Sequence, residues 1–318
     1  MTTSGTYTFT VTLYDIVEQA LRVIRKIGEA EAPTAQDLAD CKKWVNMLAK
    51  QWQGAGDFSE GVKTWTRRRG HLFLSSTTGV YNLSPSATGW TESYVDTTLS
   101  STAATSATTL SLTSVTGISA SDKIGIELSD GSLFWSVIQT VGTTSVTISP
   151  ALTSSASTGA YVVAYTTAAQ TPLLIETVVL RTSDNFDRPV SILKDVKQYD
   201  MLPSKSNTDS KGDPSRVFYE TQLSGGVLRI DVGAAADVTK HLAITYQESI
   251  QDMSDSSENP DYPQEWYLPL VMGLAKLVCP IYGLRWLPEH EANYQQAIGI
   301  AHNKEPRYES ISFEYGGN

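Results

Sequence analysis

The chain is poor in charge, histidine and cysteine, and each shortage narrows its function. Only 18% of its 318 residues are charged, and acidic residues outnumber basic ones by 34 to 24, a net charge of -10. Tight nucleic-acid binding is driven by neutralising phosphates and releasing their counterions, which needs a basic excess. None exists here, and what remains compatible is a duplex sliding past a mildly repulsive wall. The two cysteines, Cys41 and Cys279, lie far apart within helical patterns and read as reduced core thiols rather than a disulfide framework. Of the four histidines, His71, His241, His290 and His302, none sits in a metalloprotease pattern; PEHEANY around His290 matches one only superficially. No glycine-rich loop precedes a Lys-Ser or Lys-Thr pair, and no serine occupies a nucleophile elbow. The expectation is a protein without turnover, cofactor or metal. Paired carboxylates can meet from any positions in a fold, so a cell-wall glycosidase stands as an alternative. No run approaches the ~18 apolar residues of a membrane helix. The opening MTTSGTYTFT lacks a basic stretch followed by an apolar one, so no signal peptide is expected and assembly is expected in a cytoplasm.

Both ends of the chain carry helical patterns. Thr12 with Asp15 reads as a capping box. Leu13, Ile16, Val17, Ala20, Leu21, Ile24 and Ile27 then recur at helical spacing up to a stop at Gly28. Pro33 and Thr34 open a second helix, with Asp37 at the box position, a seam of Leu38, Cys41, Val45, Leu48 and Trp52, and an end at Gly54 and Gly56. A connection this short predicts an antiparallel hairpin over 1–60. A third helix is expected from Pro263, lined by Trp266, Leu270, Gly273, Leu274, Leu277 and Val278. Pro269 and Pro280 should kink or shorten it. Pro288 starts a fourth helix, and the two are expected as a second hairpin over 259–303. The aromatic residues Trp266, Tyr267, Tyr282, Trp286 and Tyr294 read as core and subunit-contact residues.

Between the helices the pattern is β. Strands are expected over 61–90 and 167–258, interrupted by the polar, mobile loop PSKSNTDSKGDP. The stretch 91–166 is rich in Ser, Thr and Ala and reads as an inserted all-β module. Within it KIGIELSDGSLFWSVIQTV predicts two strands joined at Asp130-Gly131. The expected fold is α+β: an antiparallel helical bundle in which the two hairpins meet, with a central β domain carrying the inserted module.

Two segments are candidate contact sites. Arg67, Arg68 and Arg69 form the one dense basic run, and alternation along a strand puts Arg67 and Arg69 on one side. They suit a phosphate or an acidic partner, or else a charged edge that discourages strand pairing. The extended tail 304–318 alternates Tyr308, Ile311, Phe313 and Tyr315 with polar residues, a pattern suited to ordering against a partner.

Several stretches together resemble the head-to-tail adaptor proteins of short-tailed phages, also called head-completion or packaged-DNA stabilisation proteins. They are the helical hairpin ending LAKQWQGAG, the segment FDRPVSILKDVKQYDMLPSKSNTDSKGDPSRVFYE, and GGVLRIDV followed by LAITYQESIQDMSDSSENPDYPQEWYLPLVMGLAKLVCPIYG. The resemblance covers the chain outside roughly Thr91 to Thr166, and the order of the pieces is its specific part. The inserted module, with IGIELSDGSLFWSVI, is similar to small β modules of some phage adaptors. Pro269 departs from the family pattern. The resemblance implies a dodecameric ring at the head–tail junction of a virion. Its helical part would pack on neighbours and the portal protein, and genome DNA would pass through its channel without sequence-specific binding. The same ring would be a platform for the tail nozzle and tail fibres. A receptor-binding or fibre-like structural protein is a further alternative, suggested by the Ser/Thr-rich module and opposed by the helices.

Overall fold

The structure, a computed structural model, describes residues 8–53, 65–203, 205–223 and 225–303. It begins with helices α1 (Leu13–Val23) and α2 (Ala35–Gln53) and strands β1 (Arg67–Phe73), β2 (Val80–Leu83) and β3 (Trp90–Thr91). Then come β4 (Val95–Thr98), β5 (Thr109–Ser111), β6 (Lys123–Glu127), β7 (Leu133–Val141), β8 (Ser145–Ser149) and β9 (Tyr161–Tyr165). After β10 (Leu174–Arg181) and β11 (Asp187–Leu193) follow a short helix α3 (Val196–Asp200), β12 (Lys211–Gly212) and β13 (Arg216–Gln222). The chain closes with β14 (Gly225–Ile230), β15 (Ala234–Ala235), β16 (His241–Gln247), α4 (Tyr267–Val278) and α5 (Pro288–Asn303). Two compact units result: residues 67–249 form a β unit, and the segments before and after them form a helical unit.

The expected helical bundle of two terminal hairpins is overturned. The protein is mostly β, 31% strand against 23% helix, with sheets of eight and six strands. The helices are not paired as two hairpins either. α1, α2 and α5 each pack on α4. The cause lies in α4 itself: Pro269, Leu270, Met272, Gly273, Leu274, Ala275 and Val278 are buried, which is apolar burial on every side rather than on one stripe. A helix of that kind takes the centre of a cluster. Gly273 marks the tightest approach, where an added Cβ would press on the Leu48 side chain at 2.8 Å. α5 contributes only a narrow strip, with Ala297, Ile298 and Ala301 buried.

The expected caps are present. Thr12 and Asp15 exchange hydrogen bonds at the start of α1, as do Thr34 and Asp37 at α2. α1 stops before Gly28, because Arg25 adopts φ 59° and the Lys26 N–H donates to the Leu21 carbonyl, the closing bond of a Schellman turn. Pro269 produces no break: it lies in the first turn of α4, where its N–H would have no helical acceptor in any case. Pro280 follows the C-cap residue Cys279 and accompanies the end of α4.

One node fastens α5 to α4. Glu291 accepts hydrogen bonds from Lys276 Nζ, Trp286 Nε1 and Gln295 Nε2 at 2.8–2.9 Å. These donors, Lys276 first, hold its carboxyl down at about 2. The stabilisation is complete above the ordinary glutamate value of 4.5 and disappears as pH falls through about 2. The side chain is 37% exposed, so solvent screening reduces its worth. We expect Glu291→Ala to cost about 1 kcal/mol at pH 7 and almost nothing at pH 2, measured by urea unfolding at both values. Equal losses at the two pH values would refute the assignment.

In the β unit the eight-stranded sheet has the order β2-β14-β13-β11-β10-β16-β1-β3, with β11 and β13 parallel and its other pairs antiparallel. Tyr81 and Leu83 from one end share a core with Leu72 and Trp90 from the other. That requires the sheet to curl until its ends face each other. The six-stranded sheet, β4-β9-β6-β7-β8-β5, closes on itself: Thr113 N–H donates to the Thr98 carbonyl and Ser100 N–H to that of Ser111. It encloses a core of Leu99, Leu110, Ile124, Ile138, Ile148 and Val162. Asp130-Gly131 forms the β6–β7 turn, with Gly131 at φ 77° and Asp130 Oδ1 accepting from Ser132. Phe73, Leu133, Val163 and Val238 form a separate small cluster joining the two sheets.

The polar loop expected to be mobile is anchored. Its residues Lys211–Gly212 are β12, which pairs in parallel with Ala234–Ala235 of β15. Gly233 lies so close to the Asn207 carbonyl that no Cβ fits there.

Candidate functional site

β1 organises the most polar part of the β unit. Register places Arg67, Arg69, His71 and Phe73 on one face and Arg68, Gly70 and Leu72 on the other. On the first face Phe73 stands opposite His241, His241 opposite Arg181, and Arg181 opposite Asp187, a row across four strands. A β-bulge between Ile175 and Thr177 re-aims Glu176 into the same face.

The three arginines of the basic run are engaged with carboxylates. Arg67 Nε lies 2.7 Å from Glu176, which also accepts from Gln247 Nε2 at 2.8 Å. Arg68 Nε is 3.1 Å from Glu248 and Arg69 3.4 Å from Asp187. Asp187 takes two further hydrogen bonds from Arg181, both 2.7 Å. Chiefly through Arg181, its carboxyl is held below the usual range, while the same bonds raise the Arg181 guanidinium. The run is therefore paired within its own sheet. Tyr308, Ile311, Phe313 and Tyr315 lie outside the described residues.

At the end of that face sits a cluster the sequence did not signal. His71 Nδ1 and His241 Nε2 are 3.1 Å apart, sharing one proton-mediated contact, and Tyr94 Oη lies 3.5 Å from the same His241 nitrogen. Both imidazoles are buried, at 9% and 4% exposure. Burial, then the charges of Arg181 and Arg69, lowers His71 to about 4; burial, then His71 and Arg181, lowers His241 to about 3. Phe73 and Tyr94 pack edge-on, and Trp135 of β7 covers Phe73. The two histidines are 170 residues apart, so only the strand register brings them together.

Other chemistry is sparse. Cys41 and Cys279 are buried, and burial pushes the Cys41 thiol up to about 11, far from a reactive thiolate. A cleft of about 450 Å³ lies beside α3 and β2, but Lys205 there donates to the carbonyls of Tyr199 and Asp200, and Arg229 faces Glu220. Among the described residues no group of three or more His, Cys, Asp or Glu is placed to hold a metal, and no helix is long and apolar enough to cross a membrane.

No protein-family model matches the chain, and no curated protein sequence matches it.

Proposed function

We propose that the chain is a structural virion protein, the subunit of a head-to-tail adaptor ring of a short-tailed phage. In this reading it binds below the portal, closes the DNA channel after packaging and carries the tail nozzle and fibres. The order of stretches resembling that family, from LAKQWQGAG to YLPLVMGLAKLVCPIYG, carries the proposal. Two features are consistent with it. The net charge of -10 suits a channel wall to which DNA should not adhere. The pairing of Arg67, Arg68 and Arg69 with Glu176, Glu248 and Asp187 shifts the weight of portal contact to Tyr308, Ile311, Phe313 and Tyr315.

The test is assembly. Light scattering and negative-stain images should show a monomer or weak oligomer alone and a ring, a dodecamer in this reading, once the portal of the same phage is added. A chain ending at Arg307 should attach roughly 10- to 100-fold more weakly, the loss of one or two aromatic anchors. No association with portal at micromolar concentration would sink the proposal.

A further inference from the structure

The His71–His241 pair has a position that suggests a role independent of any catalysis or of the adaptor reading. It lies where the two sheets of the β unit meet. Phe73, two residues from His71, is in the cluster that joins the sheets, and Tyr94, which packs on both imidazoles, immediately precedes β4 of the closed six-stranded sheet. Each sheet has a core of its own. The joint between them is smaller and holds the two buried histidines. We propose that the His71–His241–Tyr94 cluster is an acid-sensitive latch: mild acid opens the joint between the eight-stranded and six-stranded sheets while each sheet stays folded.

The groups facing the pair decide the direction. β1 supplies Arg69 and β10 supplies Arg181, both cationic; β11 supplies Asp187, whose charge both arginines already occupy. Tyr94 is neutral, raised by burial and by Asp96. Lys240, beside His241, is tied to Asp213 and Asp237. Asp96 acts on Tyr94 and not on the imidazoles, and Asp187, the carboxylate that does act on them, is already held by both arginines. A first proton can sit on the donating ring without breaking the contact, but a second costs the pair that contact, because one of the two facing nitrogens must accept and two N–H donors cannot share 3.1 Å. Opening hydrates the rings and restores an ordinary value near 6.5.

The folded values lie below the open ones, so the latch is fully closed above about 6.5 and loses stability as pH falls toward the folded values of about 4 and 3. Opening begins in mild acid, well before the folded-state imidazoles titrate. Within that window the open population should rise roughly tenfold per pH unit for each imidazole, and roughly a hundredfold for the pair.

Amide hydrogen exchange on the full chain between pH 6.0 and 4.5 tests this. The reporter is the Gly89 N–H, which donates to Tyr165 Oη of the six-stranded sheet. Its protection factor should fall roughly a hundredfold per pH unit, while amides of β6 and β9 inside the six-stranded sheet and the Phe73 N–H, which donates to the Gly89 carbonyl inside the eight-stranded one, keep theirs. In His71→Gln and in His241→Gln the slope should drop to roughly tenfold. Protection independent of pH in the unaltered protein overturns the proposal, as does an equal fall in β6 and β9 or an unchanged slope in both variants. The first two outcomes need no variant, so they decide the matter even if the substitutions prevent folding.

Discussion

Gly70→Ala is expected to destabilise the β unit by about 3 kcal/mol, although alanine is intrinsically the better residue within a strand by about 0.5–1 kcal/mol. A Cβ on Gly70 would come within 2.1 Å of Trp90 Cη2, and Trp90 is fully buried with its indole N–H donated to the Gln170 carbonyl. The ring also packs on Tyr246, at 5.2 Å between centroids, so it has no empty side to retreat into. Steric conflict therefore outweighs backbone entropy. Combining Gly70→Ala with Trp90→Leu should cost clearly less than the two single losses added, since the smaller side chain makes room for the methyl. Urea unfolding of the four proteins in the cycle measures this. A loss below 1 kcal/mol for Gly70→Ala, or strict additivity, would show that the sheet yields at this point.

Trp266→Ala should be the most damaging single change in the helical unit, costing about 3–5 kcal/mol. Trp266 is 2% exposed, and its ring centroid lies 5.4 Å from Trp52, 5.8 Å from Trp65 and 6.4 Å from Tyr262. Truncation removes one large side chain and the tilted aromatic contacts that three others make with it. Leu268, two residues on and 60% exposed, is the control: Leu268→Ala should stay within about 0.5 kcal/mol. Near-ultraviolet circular dichroism during denaturation would follow the loss, since the aromatic cluster dominates that signal in this unit. Similar midpoints for the two variants would mean that the cavity collapses without penalty.

What the sequence made legible was local. The capping boxes at Thr12 and Thr34, the proline opening α5 and the Asp130-Gly131 turn depend on residues a few positions apart, and each is found as read. The errors arose where the decisive partner is remote. α4 was read with one apolar side because periodicity picks out one stripe, whereas Pro269, Met272 and Ala275 are buried off it. That misreading produced two hairpins where there is one central helix. The weight of β structure was also underestimated, because strands as short as Trp90–Thr91 and Lys211–Gly212 carry no period of their own. The arginine run was left open between a partner contact and a charged edge, because its carboxylates come from elsewhere in the sheet: Glu176 is 109 residues from Arg67 and Asp187 is 118 from Arg69. The histidine pair had no local signature at all.

The division of the chain also sets an order of events on the ribosome. α1 and α2 emerge first, yet their core includes Leu270, Leu274 and Val278 of α4. Those residues are synthesised only after the whole segment 67–249 has passed. The β unit has its first and last strands, β1 and β16, paired from Arg67–Gln247 to Phe73–His241, so it can close as soon as its own C-terminal strand is available. Throughout translation of that segment the nascent helices hold Ile16, Val17, Leu21, Val45 and Trp52 without their partner, a span in which a holding chaperone has a clear target. A ribosome stalled once residue 250 has cleared its exit tunnel would therefore carry a folded β unit behind a still unsettled N-terminal pair of helices.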